Sequence, residues 1–253
     1  MEILSYSQHP ELFELSSQLV DLPYPRRAIK TWQPHYTVDL VKNFESDWII
    51  HLDEDAFLLN STAILRLMEA MVQGGFVCCG MPDGGVIDLR FHNPVACNPF
   101  FLILHRAALL QQLAVDPDIE SQRWQEQYRV HTPDFVRSRG KRFEYNEAEP
   151  YYCLFFWLCR HGFKTLYLDA EPWPDEAEGI TTLLKDHEGN PFLLHTWYSR
   201  EFRVRQPIWK AGCQLPLARF WMPHRLIRGP HFERITRAAA YVQARAKLDR
   251  HAS

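Results

Sequence analysis

The chain has 253 residues, 46% hydrophobic and 13% aromatic, with 28 Lys or Arg against 31 Asp or Glu and a formal charge of −3. That much apolar mass suits one large domain, or a domain with an extension, and the aromatic content with low net charge excludes disorder for most of it. The slightly acidic balance speaks against nucleic-acid binding through bulk charge, and apolar runs as short as 151–159 fall below the about 20 residues that a membrane-spanning helix needs.

Taken in chain order, residues 2–7 read as a short strand and 10–21 as a helix, with Pro10 in its first turn and a stripe of Leu12, Phe13, Leu15, Leu19 and Val20. Residues 27–32 read as a second strand and 37–44 as a brief helix. The β-branched and aromatic run 47–52 is a third strand, and it stops at three acids, Asp53, Glu54 and Asp55. Asn60, Ser61 and Thr62 signal a cap, followed by a helix carrying Ile64, Leu65, Leu67, Met68 and Met71 and ended by Gly74 and Gly75. Residues 76–79 open a strand, 82–85 read as a turn, 100–104 as a buried strand and 106–113 as a helix. The polar stretch 116–141 has no clear period. Residues 150–161 are apolar on every side, which predicts a fully buried helix, with Gly162 as its stop and 165–168 as a further strand. Strands separated by helices of this length predict an α/β sandwich with a largely parallel sheet. Neither an internal repeat nor a low-complexity segment interrupts it.

The small net charge hides a division. Residues 199–253 hold twelve Lys or Arg against three acids, a net +9, whereas the first 198 hold 16 basic against 28 acidic residues, a net −12. The sequence therefore divides into an acidic body, 1–198, and a basic, aromatic, largely helical C-terminal extension, 199–253. The extension either packs on the body or lies on an anionic membrane surface or phosphorylated substrate. Cys78, Cys79, Cys97, Cys153, Cys159 and Cys213 form no CxxC pair and are expected to be reduced, structural thiols. Residues 1–30 lack the basic start and apolar stretch of a secretory signal. The expected place is the cytoplasm, with a peripheral position at the inner membrane face open to the extension.

The acid triplet is the most informative feature. A parallel strand delivers its carboxyl end to the ligand crevice of an open α/β sheet, and carboxylates at i and i+2 leave an extended chain on one side. Such a pair can hold a hard divalent cation, which completes its shell with phosphate oxygens. Asp83, Gly84 and Gly85 with Arg90, Phe91, His92 and Asn93 form a polar stretch near this crevice, which either contacts a donor sugar or acceptor or, as its polarity slightly favours, is ordinary surface turn. No GxxxxGK[ST] loop, GxGxxG fingerprint or HExxH motif occurs, so kinase, dehydrogenase and common zinc-enzyme readings lack support.

The segment Asp47-Trp48-Ile49-Ile50-His51-Leu52-Asp53-Glu54-Asp55 resembles the metal-binding DxD segment of nucleotide-sugar glycosyltransferases with the GT-A fold. Two further matches follow in order: Glu147-Ala148-Glu149-Pro150 before the buried helix and its glycine stop, and His195-Thr196-Trp197 after an apolar run. The resemblance spans residues 2–197 and implies a GT-A-like three-layer sandwich. It further implies Mn²⁺ or Mg²⁺ held by Asp53, Asp55 and His195, with Asp53 on the ribose or on a metal-bound water. Glu149 or Glu147 would be the base of an inverting transfer, and Tyr6 and Ser7 would touch the nucleoside. The expected partners are a nucleotide-diphosphate sugar and a saccharide or lipid-linked acceptor, with a surface polysaccharide or glycolipid as the product the resemblance implies. The first half has room for fewer strand–helix units than the family usually shows.

Two rival readings remain. A haloacid-dehalogenase-type phosphatase also uses a strand ending in DxD, but Phe57 stands where its motif has threonine or valine. A GT-A-like protein could also bind a sugar nucleotide without turnover.

Overall fold

A computed structural model gives the architecture of residues 1–29, 35–173 and 181–197. In chain order the main elements are β1 (Glu2–Tyr6), α1 (Pro10–Ser17), β2 (Arg26–Ile29), α2 (Tyr36–Lys42), β3 (Trp48–Leu52) and β4 (Ala56–Leu58). Then come α3 (Thr62–Gly74), β5 (Phe76–Pro82), β6 (Cys97–His105), α4 (Arg106–Val115), a 3₁₀ turn (Glu126–His131) and α5 (Asp134–Ser138). The chain continues through α6 (Tyr152–Arg160), β7 (Lys164–Tyr167), β8 (Ala170–Pro172), β9 (Thr182–Lys185) and β10 (Pro191–His195).

Six strands form one sheet in the order β2-β1-β3-β6-β5-β7. The pairs β1–β2, β1–β3 and β5–β7 are parallel, while β6 runs against both of its neighbours. The expected, mostly parallel sheet is therefore present, with one reversed strand that an apolar run cannot announce. Successive residues feed opposite faces, as the pleat requires. Ile3, Ile50, Cys79 and Ile103 join a core with Ile64, Leu67 and Met71 of α3, while Leu4, Ile49, Cys78 and Leu104 join one with Val41 of α2, Leu109 of α4 and Phe155 and Trp157 of α6. Burial on both faces explains why these strands read as continuous apolar runs.

A second sheet, order β4-β10-β9-β8, is antiparallel throughout. Its strands are too short for their period to show in sequence. The chain crosses from the first sheet to the second in the three residues between β3 and β4, and these are the acids.

Other expectations shift in detail. The first helix ends at Ser17 rather than residue 21, and the second strand is Arg26–Ile29 rather than 27–32, of which 30–32 lie outside the described residues. The cap signal before α3 is redistributed. Asn60 Oδ1 accepts from the Thr62 amide at 3.0 Å, while Ser61 Oγ accepts from the Asp21 amide at 2.9 Å and donates to the Leu19 carbonyl at 3.1 Å. The polar stretch 116–141 holds only the 3₁₀ turn and the short α5. Helix α6 is buried over Tyr152–Leu158, as predicted. Cys78, Cys79, Cys97, Cys153 and Cys159 are free thiols. Among the described residues no helix is long and apolar enough to cross a membrane. Cys213 and the extension 199–253 lie outside the described residues.

Candidate metal and nucleotide site

The parallel strands all deliver their carboxyl ends to one rim of the sheet, and that rim carries the polar residues. At the end of β3, Asp53 continues the ladder by donating its amide to the Phe100 carbonyl at 2.9 Å. The turn closes with the Ala56 amide on the Asp53 carbonyl at 3.0 Å. β4 then pairs with β10, Ala56 opposite His195, and the Thr196 amide reaches the Asp55 carbonyl at 3.2 Å. This pairing brings His195 onto the acids from 140 residues away.

Asp53, Asp55 and His195 form a group whose ligand atoms all lie within 4.8 Å of one another, an arrangement that could hold a metal ion. His195 Nε2 is 3.1 Å from Asp55 Oδ1 and 4.0 Å from Asp53 Oδ2. Asp55 is 2% and His195 3% exposed, while the Asp53 side chain is 35% exposed, so the group opens on the Asp53 side. The His195 ring is clamped, stacked on Phe100 at 4.2 Å between centroids and packed against Trp197 at 4.3 Å. Trp197 takes φ = 55°, a strained value for a bulky residue, and donates its indole N–H to Thr182 Oγ1 at 2.8 Å. The donor set fits a divalent cation: two carboxylates and one imidazole, fixed by a turn and a clamped ring, with one side accessible. His195 Nδ1 is buried and has no hydrogen-bond partner among the described residues.

Glu54 points the other way. Its Oε2 accepts from Ser7 Oγ at 2.9 Å and from the amides of Gln8 and His9 at 3.0 and 2.9 Å. It therefore caps the start of α1, where the helix dipole favours a negative charge. Ser7, expected at the nucleoside, is engaged in this cap. Tyr6 meets Tyr36 edge-on at 4.6 Å and His51 at 5.6 Å, and burial lifts its phenol above the usual range. Arg26 ties the strand ends together. Its guanidinium donates to Ser5 Oγ at 2.7 Å, Ser16 Oγ at 2.7 Å and the Asp53 carbonyl at 2.7 Å. Burial lowers its pKa to about 10 against the opposing pull of Asp53, Glu54 and Asp55, and it stays charged at neutral pH.

A second cluster sits on the same rim, after β5. Asp83 and Asp53 follow strands two positions apart in the sheet, about 10 Å by strand spacing. Asp83 is 0% exposed and accepts five hydrogen bonds: from Arg90 Nε and Nη2 at 2.7 and 2.6 Å, Asn98 Nδ2 at 2.7 Å, the Tyr151 hydroxyl at 3.2 Å and the Tyr152 hydroxyl. Burial alone would raise its carboxyl pKa, but the Arg90 charge and these donors hold it below the usual value. Arg90 Nη2 also reaches Glu149 Oε1 at 2.8 Å.

The stretch 83–93 is thus a packed element and not the surface turn expected from its polarity; His92 and Asn93 are buried too. Gly84 makes this possible, since a Cβ there would lie 2.0 Å from the His92 carbonyl oxygen. The signal missed in the sequence was an acid and an arginine seven residues apart around a Gly-Gly pair.

Of the two candidate bases, Glu149 is in this network, 29% exposed and three residues before α6 begins, rather than at the helix start. Glu147 accepts from the Trp124 amide and lies 3.8 Å from Arg123. Tyr36 links the two clusters: burial raises its phenol, and the nearby charges of Asp53, Glu149 and Asp83 add to the rise.

No protein-family profile matches the chain, and no curated protein does. Among solved structures, the mannosyltransferase PcManGT from Pyrobaculum calidifontis in complex with GDP-Man and Mn2+ shares 9% identity at a TM-score of 0.33, over 58% of this chain and 54% of that one. A glycosyltransferase involved in glycosylation of the major capsid of PBCV-1 shares 14% at 0.31, over 56% and 79%. A197 from STIV shares 14% at 0.36, over 76% and 94%. Likenesses this loose establish neither a family nor an activity.

Proposed function

We propose that the protein is a metal-dependent glycosyltransferase of GT-A type, which moves a sugar from a nucleoside-diphosphate donor to a saccharide or lipid-linked acceptor. The observation that carries this reading is the convergence of Asp53, Asp55 and His195 from two sheets at the carboxyl-end rim, where open α/β sheets bind their ligands. A buried carboxylate such as Asp55 needs compensating charge. The mixed oxygen and imidazole set favours Mn²⁺ over Mg²⁺. When bound, the ion neutralises the charge that develops on the departing diphosphate.

The chain's own residues supply the remainder. Asp53, the most open of the three, faces the incoming nucleotide. Tyr6, at the end of β1, offers a ring for the base, and Ser7 anchors the adjoining turn. Glu149 takes the acceptor proton in an inverting transfer, held in place by Arg90; Glu147, tied to the Trp124 amide, is the less available base. The +9 charge of residues 199–253 suits an anionic membrane surface beside a lipid-linked acceptor.

The pairing of Glu149 with Arg90 also favours a second reading, donor binding without transfer, which release of free sugar or glycosylated product from labelled donors would exclude.

A thermal-shift screen of nucleoside diphosphates with and without Mn²⁺ tests the donor site. At least one nucleotide should raise the melting temperature only when metal is present, because a ligand that binds the native state stabilises it. Asp55→Ala should erase that rise. No shift with any nucleotide would remove the basis of the proposal.

A further inference from the structure

His195 turns one ring nitrogen toward the acids: Nε2 is 3.1 Å from Asp55 Oδ1 and 4.0 Å from Asp53 Oδ2, so it is the nitrogen an ion would meet. An imidazole that ligates a metal is ordinarily oriented by a hydrogen bond from its other nitrogen to a carboxylate, carbonyl or water. Here that nitrogen, Nδ1, is buried without a hydrogen-bond partner among the described residues. The contact of Nε2 with Asp55 cannot substitute, because a nitrogen that gives its lone pair to an ion no longer donates a hydrogen. The ring must be held by something other than hydrogen bonds.

Two aromatic side chains are placed to do so. Phe100 of β6 is 0% exposed, and its ring lies 4.2 Å from the imidazole and within 6° of parallel to it. Its carbonyl also accepts from the Asp53 amide at 2.9 Å, so one residue braces the imidazole with its ring and the acid turn with its main chain. Trp197 meets the imidazole at 4.3 Å with 55° between the planes. It is the one non-glycine residue with positive φ among the described residues, and it lies two positions from the candidate ligand. A bulky side chain keeps such a backbone only where its surroundings impose it. The indole hydrogen bond to Thr182 Oγ1 at 2.8 Å and the edge contact with Phe100 at 5.7 Å supply that constraint.

We infer that Trp197, with Phe100, is a positioning residue for the metal: the pair fixes the imidazole in place of the missing hydrogen bond, and thereby sets the preference of the site for Mn²⁺ over Mg²⁺. The inference rests on the metal reading above. Mg²⁺ takes oxygen ligands and keeps several of its waters, so it owes little to how His195 is held.

Mn²⁺ titrations of the full chain followed by paramagnetic resonance, with Mg²⁺ as competitor, test this. Trp197→Ala keeps all three ligands. It should weaken Mn²⁺ about ten- to hundred-fold, the usual result of removing a ligand's support, and leave Mg²⁺ within about twofold of wild type. Its preference for Mn²⁺ should then match that of His195→Ala, which lacks the ligand itself. Thr182→Val keeps the indole and removes its acceptor, and should shift the preference the same way by less. Spin-echo modulation of Mn²⁺ bound to the wild type should show coupling to a nitrogen.

Equal weakening of both ions in Trp197→Ala overturns the inference, since a side chain that only supports the fold of the site loosens every ligand alike. Mn²⁺ bound by the wild type without nitrogen coupling overturns it too and leaves a site of carboxylates alone; that measurement needs no variant, so it decides even if Trp197→Ala does not fold. Wild-type protein that binds neither ion overturns the metal reading itself.

Discussion

Asp83 shows how much of the rim is organised by one side chain. It is wholly buried, yet charged, because Arg90 engages both of its oxygens and Asn98, Tyr151 and Tyr152 complete the shell. Removing the charge leaves Arg90 paired only with the partly exposed Glu149, and breaking a buried pair in this way costs up to about 3–5 kcal/mol. Asp83→Asn should therefore lower stability by that order at pH 7. The pH dependence follows from the direction of the shift. The folded carboxyl titrates below its ordinary 3.8, so its contribution is complete above that value and is lost as pH falls through the lower folded one. Urea unfolding of wild type and variant should show a constant gap from pH 7 to about 5 that closes below 3.8. A gap that persists unchanged at pH 3 would mean that the pair contributes little and that packing carries the difference.

At the scale of elements, the three consecutive acids divide by the pleat. Asp53 and Asp55 meet His195, whereas Glu54 turns back to cap α1 through three donors on one oxygen. Glu54→Ala should cost about 1 kcal/mol, the usual value of a lost cap. Mn²⁺ affinity should stay within about twofold of wild type, because no ligand is removed. Chemical denaturation and a Mn²⁺ titration of the same variant check both halves. A large loss of metal affinity would mean that Glu54 belongs to the site. The strand ending in acids was legible in sequence because β-branched and aromatic residues stop abruptly at charge, and the i, i+2 spacing separates Glu54 from its neighbours. His195 was legible only as a histidine after an apolar run. What unites it with Asp55 is the pairing of β4 with β10, and β4 has three residues, too few to show a period. The direction of β6 was not legible either, since Phe100, Leu102 and Leu104 would be buried equally in either direction.

On the scale of the whole molecule, two sheets meet at the crossover from β3 to β4, and the candidate metal site lies at that meeting. Asp53 and Asp55 close the parallel sheet and His195 ends a strand of the antiparallel one, so an ion there joins the two. Composition and period sufficed for the first sheet and its helices, whose faces are large and apolar. They missed the second sheet and the Asp83 network, where short strands and polar residues owe their burial to tertiary partners. On the proposed reading, Asp53, Asp55 and His195 hold a divalent cation whose shell nucleotide binding completes. Electron paramagnetic resonance of Mn²⁺ reads this directly, since the six-line signal of the free ion fades as it is bound. Wild-type protein should quench the signal, more strongly when the tightest-binding nucleoside diphosphate is added, and Asp55→Ala should leave it at the level of Mn²⁺ and nucleotide alone. A signal that Asp55→Ala quenches as fully as the wild type would contradict the account.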